Sequence, residues 1–310
     1  MKLYFAPLES LTNYVYRNIY AEFFGSADKY FTPFLSPNQN KCFSSKELND
    51  ILPENNKGLN VVPQLLTNKS EHFIWACNEL SKMGYTEVNL NLGCPSPTVV
   101  TKKKGSGFLT ELDALDEFLY DIFDKSNIKI SIKTRLGRFS EQEFEDLIEI
   151  FNKYPICEFI LHPRVQTDFY KNPANKNAFE KYYGFIKSPV CYNGDIFTKS
   201  DYDEILNRFE KIDSVMIGRG VLSNPSLLRV IKGGKRIDKQ ELQAFHDVLY
   251  STYKQKLSGD VPVMHKMKEL WSYMNTLFED NENAWKKIRK AKNIIDYEFA
   301  VKDIFNSQIK

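Results

Sequence analysis

The segment Asn89-Leu90-Asn91-Leu92-Gly93-Cys94-Pro95 is an alternating run stopped by a glycine and a proline, which puts a cysteine just past the end of an extended stretch. A cysteine placed so acts either as a thiolate nucleophile or as a neutral thiol that gives up its proton to a carbanion formed nearby. Elsewhere the residue is usually a small buried packing group, and Cys42, Cys77, Cys157 and Cys191 are read that way. Two other runs end in cations. In Lys133-Thr134-Arg135-Leu136-Gly137 the lysine is flanked by Ile132 and Leu136, where burial is costly without an anionic partner. His162-Pro163-Arg164 adds an arginine and a histidine, a residue that taken singly is more often structural than catalytic. Asn193-Gly194-Asp195 and Ile217-Gly218-Arg219-Gly220 are glycine turns whose backbone N–H groups, with the Arg219 guanidinium, suit a phosphate; turn chemistry alone also accounts for both. Ala6-Pro7-Leu8 offers a flat apolar wall, and Gln64 offers a donor and an acceptor. Together these parts describe a planar ring with one phosphate, electron-rich where it faces Lys133, with a proton donor across from it. The ligand of that description is FMN.

The elements that must bring these residues together are legible as eight short β-branched or aromatic runs: 3–6, 30–35, 61–66, 87–92, 128–133, 158–162, 190–193 and 214–217. Helical periodicity fills the gaps at 13–24, 70–83, 111–123, 141–154, 174–186 and 199–209, with a short helix after Asn224 and a weaker one at 44–52. Continuous apolar strands alternating with helices imply a buried parallel sheet of the α/β class. Eight such units in about 230 residues match a (β/α)8 TIM barrel. A doubly wound open sheet is the alternative. The chemically suggestive residues fall at the C-terminal ends of many strands, as a barrel requires, and not at one switch point. After Lys232-Gly233-Gly234-Lys235 the strand runs stop, and the rest reads as a C-terminal all-helical domain.

Composition sets bounds on function. The 310 residues carry 42 Lys+Arg against 40 Asp+Glu, and 42% are hydrophobic, so a large core can form and a wholly basic nucleic-acid binder is excluded, though not a local basic patch. Five scattered cysteines, without a CxxC pair or zinc spacing, imply no metal site and a reducing cytoplasm. The N-terminal apolar run ends at Pro7, too brief for a signal segment, and no stretch approaches a membrane span.

On these motifs the chain resembles the tRNA-dihydrouridine synthases, flavoenzymes built as an FMN-binding barrel with a C-terminal helical domain. The likeness runs nearly end to end, through Ala6-Pro7-Leu8, Gln64, Asn91-Leu92-Gly93-Cys94-Pro95, Lys104-Gly105-Ser106-Gly107, Lys133 to Gly137, His162-Pro163-Arg164, Asn193-Gly194-Asp195 and Gly218-Arg219-Gly220. It implies an FMN-binding catalytic barrel over 1–235 and a helical tRNA-binding domain over 236–310. It further implies that Pro7, Leu8, Gln64, Lys133, His162, Asn193, Gly194, Asp195, Gly218 and Arg219 hold FMN, that Asn91 helps hold a uracil, and that Arg164 serves the cofactor phosphate end or the substrate side. Cys94 would be the general acid, protonating uracil C5 once hydride from the reduced flavin has reached C6, with Lys133 stabilising negative charge on the flavin. NADPH is the reductant the resemblance implies, although no Gly-x-Gly-x-x-Gly motif is present. Three departures stand out: Leu8 where methionine is usual, Pro163 and Val165 within what is usually His-Gly-Arg-Thr, and Met264-His265-Lys266-Met267-Lys268 where an arginine is often found.

An RNA substrate needs a cationic surface and a way to draw one base from its stack. Lys102, Lys103 and Lys104 follow the Cys94 loop directly, and Lys286, Lys287 and Lys290 crowd a stretch of the tail with Arg289 and Lys292. The sequence therefore points to a tRNA uridine reductase with tRNA as partner. The alternative is a small-molecule FMN oxidoreductase of the same barrel type, acting on a free pyrimidine or an enone. A non-catalytic RNA-binding module is disfavoured by Cys94, Lys133 and His162 occurring together.

Overall fold

The computed structural model describes residues 1–25, 27–279 and 281–310. Its strands are β1 (Lys2–Phe5), β2 (Lys29–Phe31), β3 (Val61–Val62), β4 (Gln64–Leu65), β5 (Glu87–Leu92), β6 (Lys129–Gly137), β7 (Phe159–Val165), β8 (Val190–Tyr192) and β9 (Ser214–Ile217). They form one parallel sheet in the order β3-β2-β1-β9-β8-β7-β6-β5-β4. β3 and β4 are two halves of one run, broken at Pro63, which has no N–H for a ladder. The first half pairs with β2 and the second with β5, so the chain itself, bending at Pro63, joins the two ends of the sheet into a barrel with eight strand positions.

The second expected run stops at Phe31 because Pro33 interrupts it, and Leu35 keeps only an isolated bridge to Leu65. The fifth and sixth extend further than their apolar cores, to Gly137 and Val165, so Lys133, Arg135, His162 and Arg164 are strand residues, with a register shift between Arg135 and Gly137.

The helices are α1 (Tyr14–Phe24), α2 (Ser45–Ile51), α3 (Ser70–Lys82), α4 (Pro97–Val100), α5 (Leu112–Lys125), α6 (Glu143–Phe151) and α7 (Lys176–Tyr183). There follow α8 (Lys199–Arg208), α9 (Arg219–Ser223), α10 (Leu227–Ile231), α11 (Lys239–Lys256), α12 (Asp260–Met274), α13 (Glu282–Lys290) and α14 (Ile294–Ile304). The weak expectation at 44–52 is α2, closed by a capping box in which the Ser44 hydroxyl accepts from Glu47 N–H and the Glu47 carboxylate accepts from Ser44 N–H. α5 buries Leu115, Phe118, Leu119 and Ile122, a stripe at helical spacing.

Alternation along the strands fills the barrel interior. Its middle is an apolar cluster of Tyr4, Ala6, Phe31, Val62, Ile160, Cys191 and Met216. At the N-terminal ends of the strands the filling is ionic. Lys29 Nζ lies 2.7 Å from Glu87 and 3.0 Å from Glu158, whose carboxylate also accepts from Tyr4 Oη at 2.6 Å and Ser214 Oγ at 3.0 Å. Burial alone would lower the Lys29 pKa, but the two carboxylates outweigh it and the net shift is upward.

The described chain groups into two compact units: Met1–Pro7 with Asp28–Asp195 and Glu204–Ile217, and Leu8–Ala27 with Ile196–Asp203 and Gly218–Lys310. The first holds the sheet. In the second, Phe245 of α11 packs edge-on against Tyr16 and Phe24 of α1, and buried Trp271 donates through Nε1 to Tyr297 Oη at 3.1 Å. Among the described residues no helix is long and apolar enough to cross a membrane.

Candidate active site

Cys94 follows β5 on a loop whose backbone is held from several sides. Its N–H donates to Asn91 Oδ1 at 2.9 Å, as does Gly93 N–H at 3.0 Å. Its carbonyl accepts from Ser106 N–H at 3.1 Å and from Ser106 Oγ at 2.7 Å. The approach of that second loop explains the Gly105 of the glycine-rich motif: its φ is +54°, and a Cβ there would lie 2.9 Å from the Cys94 carbonyl oxygen. Cys94 is partly exposed and forms no disulfide.

Lys133 pairs in register with Asn91 across β5 and β6, so ammonium and thiol belong to the same, C-terminal end of the barrel. Among the described residues its Nζ donates no hydrogen bond. Burial, and then the Arg135 charge two residues on, depress its pKa to about 8. Beside it runs a chain of amides: Asn91 Nδ2 donates to Gln64 Oε1 at 2.7 Å, Gln64 Nε2 to Asn89 Oδ1 at 2.7 Å, and Asn89 Nδ2 to Ser131 Oγ at 2.9 Å. Gln64 is 1% exposed, yet one N–H and one lone pair of its amide are left over from this chain.

On β7, His162 and Arg164 face one another. Arg164 is 2% exposed and donates to His162 Nε2 at 2.7 Å, to the Asn172 carbonyl at 2.7 Å and to Asp195 Oδ2 at 2.5 Å. An arginine only donates, so Nε2 accepts and the neutral ring carries its proton on Nδ1. Its fork is used here on partners inside the protein, orienting His162 and Asp195, and two of its five N–H groups are left over from these bonds. Asp195 also accepts from Ala174 N–H at 2.9 Å. Asn193 is buried and donates to the Met216 carbonyl at 2.8 Å. At Gly194 a Cβ would lie 2.3 Å from Tyr192 Oη, so a larger residue there would have to displace that buried ring.

Pro7 follows β1 and is partly exposed. Leu8, Gly218 and Arg219 fall in the second unit; Leu8 N–H donates to Thr12 Oγ1 at 2.8 Å, and the Arg219 guanidinium lies over the Phe197 ring at 5.6 Å. Lys102 and Lys103 are exposed and Lys104 half-buried in the turn after α4, where Lys103 pairs with Glu111 at 2.9 Å. Lys286, Lys287 and Lys290 are exposed on α13, held by buried Ala284 and Ile288, and Lys287 pairs with Asp303 at 2.6 Å.

Cys77 and Cys191 are buried packing residues, and burial drives the Cys77 thiol up to about 12. Two of the cysteines depart from the packing expectation. Cys42 is exposed on the polar segment before α2, and Cys157 is only half-buried beside the ionic cluster.

Two residues that sequence reasoning left without a role complete the site. Arg135 is inserted under the Cys94 loop, and Tyr170 covers the two arginines, its ring 5.5 Å from Arg135 Cζ and 5.9 Å from Arg164 Cζ. The Lys-x-Arg spacing, which puts both cations on one face of a strand, was the available signal for Arg135. Tyr170 had none. The donor set fits an anionic, planar cofactor: a partly buried ammonium without an internal anion beside an amide with spare capacity.

The model of the family described as "Dihydrouridine synthase (Dus)" matches residues 4–306. A Staphylococcus aureus (strain COL) protein named "Probable tRNA-dihydrouridine synthase" is 28% identical over 227 residues, 71% of this chain and 68% of that one. The "tRNA-dihydrouridine(16) synthase" of Neisseria meningitidis serogroup B is 26% identical over 238 residues, 74% of this chain and 71% of that one. Among solved structures, a variant of NCR from Zymomonas mobilis (TM-score 0.53, 15% identity, 76% of this chain and 88% of that one) and morphinone reductase (TM-score 0.54, 10% identity, 77% and 87%) share the fold. With a match covering almost every residue and a parallel barrel of eight strand positions, the chain belongs to the dihydrouridine synthase family.

Proposed function

We propose that this chain is a tRNA uridine reductase that saturates the C5=C6 bond of a uracil, with FMN as cofactor and NADPH as reductant. The observation that carries the reading is the placing at one barrel rim of a partly exposed thiol and an ammonium with no hydrogen-bond partner among the described residues, fixed by the Asn91 and Lys133 register pair. Gln64, Lys133, His162, Asn193 and Gly194 would hold FMN in the first unit, with Pro7 as apolar wall; for Leu8, Gly218 and Arg219 the cofactor role rests on the sequence motifs alone. Reduced FMN, when bound, supplies hydride equivalents. Lys133 holds the cationic charge that an electron-rich ring requires. Cys94 gives its proton to C5 as negative charge develops there, and no metal is needed for that transfer. Asn91 orients the Cys94 loop through its carbonyl and leaves its amide on Gln64, so any hydrogen bond it makes with a uracil extends that chain.

The barrel of residues 1–235 would carry the chemistry and residues 236–310 would bind tRNA, with Lys102 to Lys104 and the α13 lysines meeting phosphates. The test is dihydrouridine formation, measured by nucleoside mass spectrometry on tRNA from cells lacking the protein after incubation with flavin-loaded enzyme and NADPH. The wild-type enzyme should form dihydrouridine at a defined position, and Cys94→Ala should keep its flavin and its reduction by NADPH while losing at least about tenfold in product formation. Equal product from Cys94→Ala would refute the acid role. Reduction of free uracil but not tRNA would return the small-molecule alternative.

A further inference from the structure

Arg135 sits two residues beyond Lys133 on β6 and is 1% exposed. Among the described residues it forms no ion pair. Instead its guanidinium divides three donors among three carbonyls on two segments: Nε to the Gly93 carbonyl at 3.0 Å, one terminal nitrogen to the Val165 carbonyl at 2.8 Å, and the other to the Phe169 carbonyl at 2.9 Å. Burial, with the neighbouring Arg164 charge, lowers its pKa, so the fold carries a cost for keeping a cation there. Phe169 is itself unusual, a bulky residue at φ +49°, a conformation that persists only where the surroundings over-determine it.

The carbonyl taken by Nε belongs to the peptide unit joining Gly93 to Cys94. The N–H of that same peptide unit is the Cys94 N–H held by Asn91 Oδ1. Arg135 and Asn91 thus grip opposite edges of one plane, while Ser106 grips the carbonyl of the next plane, after Cys94. With both flanking peptide planes fixed, the φ and ψ of Cys94 are fixed, and the thiol keeps only rotation about its own Cα–Cβ bond.

We propose that Arg135 is a positioning residue for Cys94, acting through the Gly93–Cys94 peptide to aim the thiol. The inference rests on the reading of Cys94 as proton donor. A lysine cannot replace it, because an ammonium on a flexible stem lacks the planar fork that reaches three carbonyls in fixed directions. A displacement of about 1 Å at a reacting group is enough to cost roughly 100-fold.

The experiment compares wild type, Arg135→Lys and Cys94→Ala as flavin-loaded enzymes. Flavin reduction by NADPH and flavin reoxidation by tRNA are followed separately, and Cys94 alkylation by iodoacetamide is measured across pH. For Arg135→Lys the expected result is reduction within about twofold of wild type, reoxidation slowed roughly 10- to 100-fold with KM for tRNA little changed, and an alkylation rate shifted at least about threefold. Unchanged reoxidation and alkylation, or a parallel fall in both half-reactions, would overturn the proposal. Cys94→Ala separates the two readings: if it reoxidises at the wild-type rate, the donor role fails, and the alkylation profile alone decides whether Arg135 aims the thiol. If Arg135→Lys does not fold, Tyr170→Leu, which keeps the guanidinium but removes the ring over it, should show the same split at smaller amplitude. A parallel loss in both half-reactions there would also overturn it.

Discussion

Lys133 is a cation that its own surroundings disfavour, and the sign of that effect makes it testable. Burial and the Arg135 charge hold its pKa near 8, below that of a lysine in the unfolded chain. The folded protein therefore loses this proton first, so Lys133 destabilises the fold below pH 8, and the penalty fades as pH rises toward the unfolded value. A ligand bearing negative charge reverses the balance, because pairing raises the lysine pKa and binding takes up a proton above pH 8. The Kd of FMN for the apoprotein should be nearly flat below pH 8 and should rise by up to about tenfold per pH unit above it. Titration of apoprotein with FMN at several pH values measures this, and Lys133→Met should give a weaker, pH-independent Kd; a flat wild-type profile would remove Lys133 from the cofactor site. At this scale the sequence was informative about residue types and silent about their partners. Lys-x-Arg announced two cations on one strand face, but only the fold shows one without a hydrogen-bond partner among the described residues and the other sealed against three carbonyls.

Among the elements, all eight strand positions were legible because buried parallel strands read as continuous apolar runs. Their ends were less so. The motif residues of β6 and β7 are polar and lie past the apolar stretch, so the ladders continue where hydrophobicity stops. Also hidden was the ionic filling at the N-terminal ends, because Lys29, Glu87 and Glu158 each open or precede a different run, and nothing in a run's own pattern names its partner across 129 residues. Removing the cation leaves two nearly buried carboxylates facing each other. Lys29→Met should destabilise the protein by about 3 kcal/mol at neutral pH, read by urea unfolding. The Lys29 pKa is raised on folding, so the wild-type contribution is fully present below the unfolded lysine value and is lost only as pH climbs through the raised one. A loss under about 1 kcal/mol would mean that water or protonation already relieves the pair.

For the whole molecule, a near-zero net charge conceals its distribution. The 42 basic and 40 acidic residues almost cancel, while α13 presents Lys286, Lys287, Arg289 and Lys290 on its exposed side. Replacing Lys286, Lys287 and Lys290 by glutamate should weaken tRNA binding and reduce the slope of log K against log salt by roughly 0.7 to 0.9 for each phosphate no longer neutralised. Filter binding across a salt series checks this; an unchanged slope would place the RNA elsewhere. Lys287 should contribute least of the three, since Asp303 already holds it. The helical tail was legible as helix, and its basic stretch as a charged face, whereas Pro63 was visible from the outset without its consequence. That proline sits where the wall of the barrel meets itself. On either side the strands are joined by two register pairs, as they also are between β1 and β2 and between β8 and β9, against six between β5 and β6. Gln64, the amide that steadies Asn91 and through it the thiol loop, thus stands at one of the most thinly paired places in the wall.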